Sequence, residues 1–331
     1  MKHLMKITAL ALAVIIFLLT LAACSPVNST EPIEINISVL NGTTGFGAAK
    51  LMSDAAEGKS ALNYKFTVES DASNITAGLI NGSIDIAALP TNAAANLYNK
   101  TNGAVRIAAV NTLGVLYLLT GEGVEINSIS DLEGKTVFCP AQNPAFIFEA
   151  ICRANNLLPG ENITIDTGYA QPADLRAALV SGAVEIAVLP EPMVTIAKNA
   201  NDKISVSLDL TDEWEKAYGA GTLMQGCIVV RTEWANAHEK ELAEFLEDYR
   251  ASIKFTNGKP LEAATYIVST GVFAGKDAVA AKAIPNCNIV YVDGDEMADN
   301  LSIFFEKLYS VNPNAVGGKI PDANIYYEND K

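Results

Sequence analysis

The stretch ITAGLINGSIDIAALP at residues 75–90 recurs as LRAALVSGAVEIAVLP at residues 175–190, with seven of the sixteen positions identical. In each copy a helical pattern ends at a glycine, Gly82 or Gly182, as is usual where a helix closes in the left-handed conformation. A strand and a proline that opens the next helix follow. Because all parallel α/β units share apolar positions, common architecture is one explanation of this echo. The shared pattern G-x-[IV]-[DE]-I-A-x-L-P favours the other explanation, two similar lobes in tandem.

Strands and helices alternate on both sides of these repeats. Period-two patterns and β-branched residues predict strands at residues 33–40, 64–69, 83–89, 136–139 and 223–230. Helical patterns predict helices at residues 48–56, about 145–155, about 237–254, and near 260–269, 276–283 and 296–309. This alternation predicts α/β lobes with parallel sheets covered on both faces. Each repeated strand carries one acid, Asp85 or Glu185.

The first 23 residues are typical of an export signal rather than of a folded domain. Two lysines precede an uncharged apolar run at residues 7–23, and small residues end it. Leu21-Ala22-Ala23-Cys24 is similar to the bacterial lipobox, whose cysteine is lipidated; a plain signal peptide or an anchor helix is the alternative. We therefore expect a lipoprotein signal peptide at residues 1–23, a lipid anchor on Cys24 and a polar tether at residues 24–32.

Composition excludes several classes of function. The formal net charge is −15, and −17 without the two signal-peptide lysines, which argues against nucleic acid as a partner. The 308 residues after the signal exceed one typical core and suit two lobes. They contain one histidine, His238, in an acidic helical pattern, so histidine-based catalysis and metal sites are not expected. The four remaining cysteines match no zinc pattern; buried thiols are favoured and one disulfide is the alternative for Cys139, Cys152, Cys227 and Cys287.

Candidate ligand-binding residues follow the strands, at the starts of helices. In open parallel sheets, ligands bind beyond the carboxyl ends of the strands, where helix N-termini present unpaired N–H groups. Four such segments occur, two in each half, at residues 42–47, 90–92, 140–144 and 190–192. If the halves face each other, these segments converge on one cleft. The candidates without charge are Asn41, Gly42, Thr43, Thr44, Pro90, Thr91, Asn92, Gln142, Asn143 and Gln225.

Each candidate also has a simpler structural explanation. A threonine or asparagine at a helix start often only caps the helix, and residues 42–47 do not match the dinucleotide pattern G-x-G-x-x-G. Phe46, Phe146 and Phe148 are candidates for a stacking wall, although aromatic residues on helices are more often core. Glu191, the one charged residue in the four segments, either stabilises a helix dipole or accepts a hydrogen bond from a ligand amino group. The segments contain no arginine, which favours a small monoanion or a neutral heterocycle over a phosphate.

The order of several motifs resembles the type II periplasmic binding proteins, and within them the nitrate, sulfonate and thiamine-precursor group of ABC importers. The motifs are the lipobox, Gly82-Ser83-Ile84-Asp85, DLEGKTV at residues 131–137, and Gly182-Ala183-Val184-Glu185 with Glu191-Pro192. The chain departs from the group at residues 57–62 (EGKSAL), where an aromatic residue and an acidic Gly-Leu stretch are usual. This departure leaves the substrate less defined than the fold.

The resemblance implies an α/β fold of two Rossmann-like lobes with mixed, mostly parallel sheets, joined by a two-strand hinge that closes over a ligand. The crossings are expected near residues 111–118 and 223–229. One lobe would then contain residues 33–112 plus 229–331, and the other residues 113–228.

The implied function is substrate capture for an ABC importer. The chain would be an extracytoplasmic monomer, anchored to the cell membrane by lipid. It would deliver a small organic or inorganic anion, or a heterocyclic vitamin precursor, to a permease and ATPase complex, and no cofactor is expected. Two alternatives are an enzyme of the same fold, similar to menaquinone-pathway dehydratases or pyrimidine synthases, and a surface sensor without a transporter. Those enzymes are cytoplasmic and the synthases depend on a histidine that this cleft lacks, so we do not expect an enzyme.

Overall fold

The strands of the chain belong to two separate sheets. The computed structural model describes residues 33–328, so the predicted signal peptide, Cys24 and the tether lie outside the described residues. In chain order the strands are β1 (Glu34–Leu40), β2 (Asn63–Glu69), β3 (Ile86–Pro90), β4 (Val105–Thr112), β5 (Leu116–Thr120), β6 (Thr136–Phe138), β7 (Thr164–Asp166), β8 (Ile186–Pro190), β9 (Ser205–Asp209), β10 (Gly226–Arg231) and β11 (Ile289–Val292). The first sheet has the order β11-β4-β10-β3-β1-β2, and the second has the order β7-β6-β8-β5-β9.

Helices cover the faces of both sheets. They are α1 (Thr43–Phe46), α2 (Ala49–Ala56), α3 (Ala72–Asn81), α4 (Thr91–Thr101), α5 (Asn143–Ala154), α6 (Pro172–Ser181), α7 (Met193–Ala200), α8 (Leu210–Tyr218), α9 (Thr232–Ala237), α10 (Glu239–Gly258), α11 (Pro260–Ser269), α12 (Asp277–Ala283) and α13 (Gly294–Val311). Short 3₁₀ turns lie at Ile129–Leu132, Ile284–Asn286, Pro313–Val316 and Ala323–Ile325. Among residues 33–328, no helix combines the length and apolar character that a membrane span requires.

The repeat in the sequence corresponds to a repeat in the structure. Helix α3 ends at Gly82 (φ 80°) and α6 ends at Gly182 (φ 77°), and both glycines adopt the left-handed conformation expected at a helix end. The strands that follow, β3 and β8, each pair in parallel with one neighbour and antiparallel with another. Strands β2, β1, β3, β10 and β4 of the first sheet therefore correspond in order to β7, β6, β8, β5 and β9 of the second.

Both sheets are mixed, which confirms the predicted fold class. Parallel pairings join β1 to β2 and β3, and β6 to β7 and β8. Strands β10 and β5 pair antiparallel with both neighbours. Antiparallel pairings are more frequent than the alternation of strands and helices alone predicts. The reason is that a strand that arrives from the other sheet enters from the opposite end.

Two chain segments pass between the sheets and lie side by side. Residues 113–115 lead from β4 into β5, and residues 219–225 lead from α8 into β10. Hydrogen bonds join them: Gln225 N donates to Thr112 O at 3.0 Å, and Val115 N donates to Gln225 Oε1 at 2.8 Å. The proposed division into residues 33–112 plus 229–331 and residues 113–228 stays a prediction; all of β10, from Gly226, pairs within the first sheet.

The last long helix, α13, connects the apolar cores beside the two sheets. Phe304 of α13 packs against Trp214 of α8 with ring centroids 5.6 Å apart. The chain after α13 also contacts α4, where Asn99 donates from Nδ2 to Val316 O at 2.6 Å. One cluster of buried apolar residues consequently contains side chains from both sheets, among them Leu89, Leu118, Val188 and Val229.

Candidate functional site

Two helix starts carry buried polar oxygens without partners. Asn92, in the first turn of α4 after β3, and Asn143, the first residue of α5 after β6, were both predicted as ligand-binding residues. The Oδ1 atoms of both are buried and accept no hydrogen bond from any described residue. Buried polar groups are nearly always hydrogen-bonded, so such a pair needs an explanation, and an absent ligand supplies one.

Thr91, next to Asn92, also carries a buried side-chain oxygen without a good hydrogen-bond partner. The residue is fully buried, and its N–H donates to Gln225 O at 3.0 Å. Its hydroxyl has no oxygen or nitrogen partner among the described residues and faces the Cys227 thiol, which is a poor hydrogen-bonding group. Pro90, the preceding candidate, ends β3 and pairs with Gly226 of β10.

A cavity of about 470 Å³ opens at these helix starts. Residues that follow strands of both sheets line it, since Asn92 and Ala93 come after β3 of the first sheet and Gln142 and Phe146 come after β6 of the second. The side chains from α3, from the rest of α4 and from the chain after α13 complete the wall: Ala72, Ser73, Thr76, Ile80, Asn96, Leu97, Lys100, Thr101, Asn312, Asn314 and Ala315. The structure thus brings two of the predicted segments, 90–92 and 140–144, to one cavity.

The segment at residues 41–47 contacts β3 and is held in place by hydrogen bonds of its backbone. Gly42 adopts φ 95°, and its N–H donates to Val272 O at 2.9 Å. Asn41 N donates to Glu69 O, and Thr44 O accepts from Asn111 Nδ2 at 3.0 Å. The side chains of this segment, Thr43 included, are not part of the cavity wall, so their role toward a ligand stays a prediction.

The three aromatic candidates separate into core and cavity residues. Phe46 is fully buried and packs edge-on against Phe273, with ring centroids 6.2 Å apart. Phe148 is also fully buried. Both rings therefore belong to the core, the alternative given for aromatic residues on helices, and Phe146 is the one of the three that lines the cavity. A ligand contact for Phe46 stays a prediction.

Glu191 is buried at the start of α7. Its side chain is only 3% exposed; Oε2 accepts from Thr195 N at 3.1 Å, and Oε1 accepts from Thr195 Oγ1 at 2.9 Å. Burial raises the pKa of Glu191, while the hydrogen bonds from Thr195 act in the opposite direction. Glu191 thus accepts two hydrogen bonds from the first turn of α7, and both its effect on the helix dipole and a contact with ligand stay predictions.

The 3₁₀ turn before β11, a strand of the first sheet, also reaches Glu191. Asn286 donates from Nδ2 to Glu191 Oε1 at 3.5 Å, and its own carbonyl accepts from the Tyr117 hydroxyl at 3.0 Å. Asn288, two residues on, donates from Nδ2 to Gly114 O at 2.6 Å. These bonds tie the 3₁₀ turn at Ile284–Asn286 to the second sheet.

Sequence reasoning missed several cavity residues. Ser73 follows β2 at the start of α3, so extending the rule of strand ends to every strand would have found it. Asn96 and Lys100 lie four and eight residues after Asn92 on the same face of α4, a spacing that helical periodicity makes visible. Asn312 and Asn314 carry no local signal, because only the tertiary packing of the chain after α13 brings them to the cavity.

The cysteines are buried thiols, as favoured from the sequence. Cys139, Cys152, Cys227 and Cys287 are all free and all buried. Burial raises the pKa of each thiol, to about 12 for Cys152 and Cys227, so none is a ready nucleophile or ligand at neutral pH. Within residues 33–328, no group of three or more histidine, cysteine, aspartate or glutamate side chains is placed to hold a metal ion.

This architecture, two mixed sheets of matching topology with two crossing segments, is the type II periplasmic binding protein fold. Residues 59–263 match the family model described as NMT1/THI5 like. The chain belongs to the NMT1/THI5-like family, and the resemblance noted in the sequence is confirmed.

Solved structures share the fold at low sequence identity. An ABC transporter structure from Parabacteroides distasonis is 24% identical, with a TM-score of 0.74 over 89% of this chain and 98% of that chain. The periplasmic aliphatic sulphonate binding protein SsuA from Escherichia coli is 16% identical, with a TM-score of 0.70 over 89% and 96%. The periplasmic nitrate-binding protein NrtA from Synechocystis is 12% identical, with a TM-score of 0.56 over 75% and 69%. No curated protein sequence matches the chain.

Proposed function

We propose that this chain is the extracytoplasmic substrate-binding lipoprotein of an ABC importer. It captures a small organic or inorganic anion, or a heterocyclic vitamin precursor, and delivers it to a permease and ATPase complex. The observation that carries the proposal is the pair of buried, unpartnered oxygens of Asn92 and Asn143 at two helix starts, one after a strand of each sheet. Asn92 lines the cavity, and Asn143 follows the lining residue Gln142. A ligand that carries N–H or O–H donors and contacts both helix starts would satisfy these acceptor oxygens and hold the two sheets together.

The comparisons support the same class of function. Two of the proteins with this fold are described as binding sulphonate and nitrate in the periplasm. Substrate capture for an ABC importer would place the chain outside the cytoplasm, in agreement with the signal-like residues 1–23. Anchoring through Cys24 would keep a monomeric chain near its permease, since a lipid-modified cysteine with more than one acyl chain binds membranes stably.

An enzyme is the competing function, because the NMT1/THI5-like family also includes some enzymes. The residues that line the cavity offer amides, hydroxyls and one lysine, with no histidine, carboxylate or cysteine among the described ones. A serine or threonine nucleophile normally needs an adjacent general base, and histidine or a carboxylate most often fills that role. Capture and release of an unchanged ligand fits this lining better. A sensor without a transporter would use the same cleft, and a neighbouring permease gene would argue against it.

A thermal-shift screen with ligand recovery tests the proposal. Sulfonates, nitrate, aminopyrimidines and aromatic carboxylates are added one at a time, and any bound compound is then released and analysed by mass spectrometry. A ligand at one hundred times its Kd stabilises the folded state by about 2.7 kcal/mol. A shift with unchanged ligand recovered is expected. A chemically altered product would support an enzymatic function instead. The absence of a thermal shift with every compound would contradict ligand capture.

Asn143→Leu provides the matched variant for this screen. The substitution removes a buried oxygen that has no partner in the free protein, so the free variant is expected to be as stable as the parent or more stable by about 1 kcal/mol. The ligand-induced shift should be lost. The exposed Asn236, on α9 and outside the cavity, is the control site, and Asn236→Leu should leave the shift unchanged.

A further inference from the structure

The cavity at the start of α4 is too large for a compact anion. Its volume of about 470 Å³ lies within the ~300–1,000 Å³ typical of sites for drug-sized molecules. The cavity follows α4 from Asn92 in the first turn to Lys100 in the last turn. Eight residues of α-helix rise by about 12 Å. The space is therefore long as well as large.

The wall changes character along this length. At the end nearest the start of α4 lie two amides that follow strands of different sheets, the Asn92 side chain with its unpartnered Oδ1 and the exposed Gln142. Leu97 and Phe146 follow, and the large apolar side chain of Ile80 is 61% exposed at the rim. Exposure of so large an apolar side chain next to a cavity is informative, because a bound apolar group would cover it.

The outer end carries a positive charge. Among the described residues that line the cavity, Lys100 is the only charged one, and it forms no ion pair with any described residue. A lysine in the last turn of a helix also interacts favourably with the helix dipole, which explains its presence on α4 but not its position in the cavity wall. An acidic group on a ligand is the partner that this position lacks.

We propose that the ligand is an elongated organic monoanion rather than a compact ion. It has a neutral hydrogen-bonding head at Asn92 and Gln142, an apolar middle beside Leu97, Phe146 and Ile80, and one acidic group at Lys100. This inference rests on the proposed function and names the substrate class for it. The neutral hydrogen-bonding head distinguishes this ligand from a simple fatty acid. Because the cavity offers one cation, Lys100, a singly charged ligand fits it better than a phosphate ester.

The test compares three kinds of probe on the full chain, purified in detergent, by isothermal titration calorimetry. Elongated monoanions are suberamic acid, hippurate and 4-acetamidobenzoate. Suberamide matches suberamic acid but is neutral. Nitrate, methanesulfonate and taurine are the compact probes. We expect at least one elongated monoanion to bind at least tenfold more tightly than every compact probe, and suberamic acid to bind more tightly than suberamide.

Two variants locate the contacts. Lys100→Gln should weaken binding of the elongated monoanions by about fivefold, the upper range for an exposed ion pair, and leave suberamide unchanged. Ile80→Asp should weaken both, because it places a charge beside the apolar middle. The controls are Lys135→Gln and Ile320→Asp, at exposed positions outside the cavity.

The outcomes separate the two proposals. Tight binding of a compact probe without binding of the elongated ones would overturn the elongated ligand and leave ligand capture intact. An elongated monoanion that binds equally well to Lys100→Gln would likewise overturn the assigned orientation. Failure of every probe here, together with a blank thermal-shift screen, would remove both proposals.

Discussion

Gln225 and Val115 join the two segments that cross between the sheets: the buried N–H of Val115 donates to Gln225 Oε1 at 2.8 Å. Gln225 was predicted to bind ligand, and its side-chain oxygen instead has a structural partner 110 residues away in the chain. Gln225→Met keeps the length of the side chain but leaves the Val115 N–H without an acceptor. We expect a loss of about 1 to 3 kcal/mol in the free energy of unfolding, measured by urea denaturation.

Gln171 is the control for this substitution, because its side chain is exposed and caps nothing. Gln171→Met should change stability by less than about 0.5 kcal/mol. If Gln225→Met unfolds at the same urea concentration as the parent while ligand binding disappears, the structural role is wrong and the predicted ligand contact gains support.

The internal repeat supplies a second matched pair of variants. Asp85 is buried; its Oδ1 accepts from Arg231 Nη2 at 3.0 Å and its Oδ2 accepts from Asn36 N at 3.0 Å. Glu185 occupies the corresponding position one hundred residues later and is exposed. Asp85→Asn should destabilise the chain by about 2 kcal/mol, because it weakens hydrogen bonds to a charged group. Glu185→Gln should be nearly neutral in the same denaturation experiment, and equal effects at both positions would contradict this account.

This pair also shows how far the sequence could predict the structure. The echo correctly located α3 with β3 and α6 with β8, because helix ends and buried strands depend on local pattern. The same pattern treated Asp85 and Glu185 alike. Only tertiary packing, which brings Arg231 of β10 to Asp85, gives Asp85 a partner in a partly buried ion pair.

The candidate site divides in the same way. Asn92 and Gln142 were predictable because ligands bind beyond strand ends, and the fold brings those ends together. Phe46 sits in an equally suitable segment but packs into the core against Phe273. Asn312 reaches the cavity through the packing of a distant segment, a contact that no local pattern encodes.

Glu191 predicts a pH dependence of stability. Burial raises its pKa in the folded chain above the ordinary value of a glutamate, so the folded state holds the proton more tightly than the unfolded state. Stability must then fall as pH rises between the unfolded and folded pKa values. Glu191→Gln cannot ionise, and its advantage over the parent in free energy of unfolding should grow with pH across that window.

Urea denaturation of both proteins at several pH values between 4 and 8 measures this difference. Tyr117, Cys287 and Lys198 lie within electrostatic range of Glu191, so their presence in both proteins keeps the comparison matched. A constant difference between the two proteins over the whole range would show that Glu191 does not titrate abnormally.

The proposed lipid anchor predicts a change of cell fraction. Cys24→Ala removes the only thiol in the lipobox-like motif and hence the site for acyl chains. In a bacterial host the variant should move from the membrane fraction to the soluble extracytoplasmic fraction, as detected by phase separation in detergent. Ser25→Ala keeps the thiol and should remain with the membrane. Retention of Cys24→Ala in the membrane would favour an anchor helix instead.

Gly114 tests whether the crossing segments tolerate any added volume. A Cβ at this position would lie 2.2 Å from Thr211 Oγ1 and 2.6 Å from Leu223 Cδ2, although its backbone conformation is open to any residue. Both residues are buried; Leu223 lies in the crossing segment at residues 219–225, and Thr211 lies at the start of α8. Gly114→Ala should therefore force the segments apart and cost about 1 to 3 kcal/mol by overpacking.

Gly258, with no atom near its Cβ direction, is the control: Gly258→Ala should be neutral or slightly stabilising, because alanine favours the helix end of α10. Equal unfolding midpoints for the two variants would mean that the crossing relaxes without cost, and that the packing of Gly114 does not define the relation between the sheets.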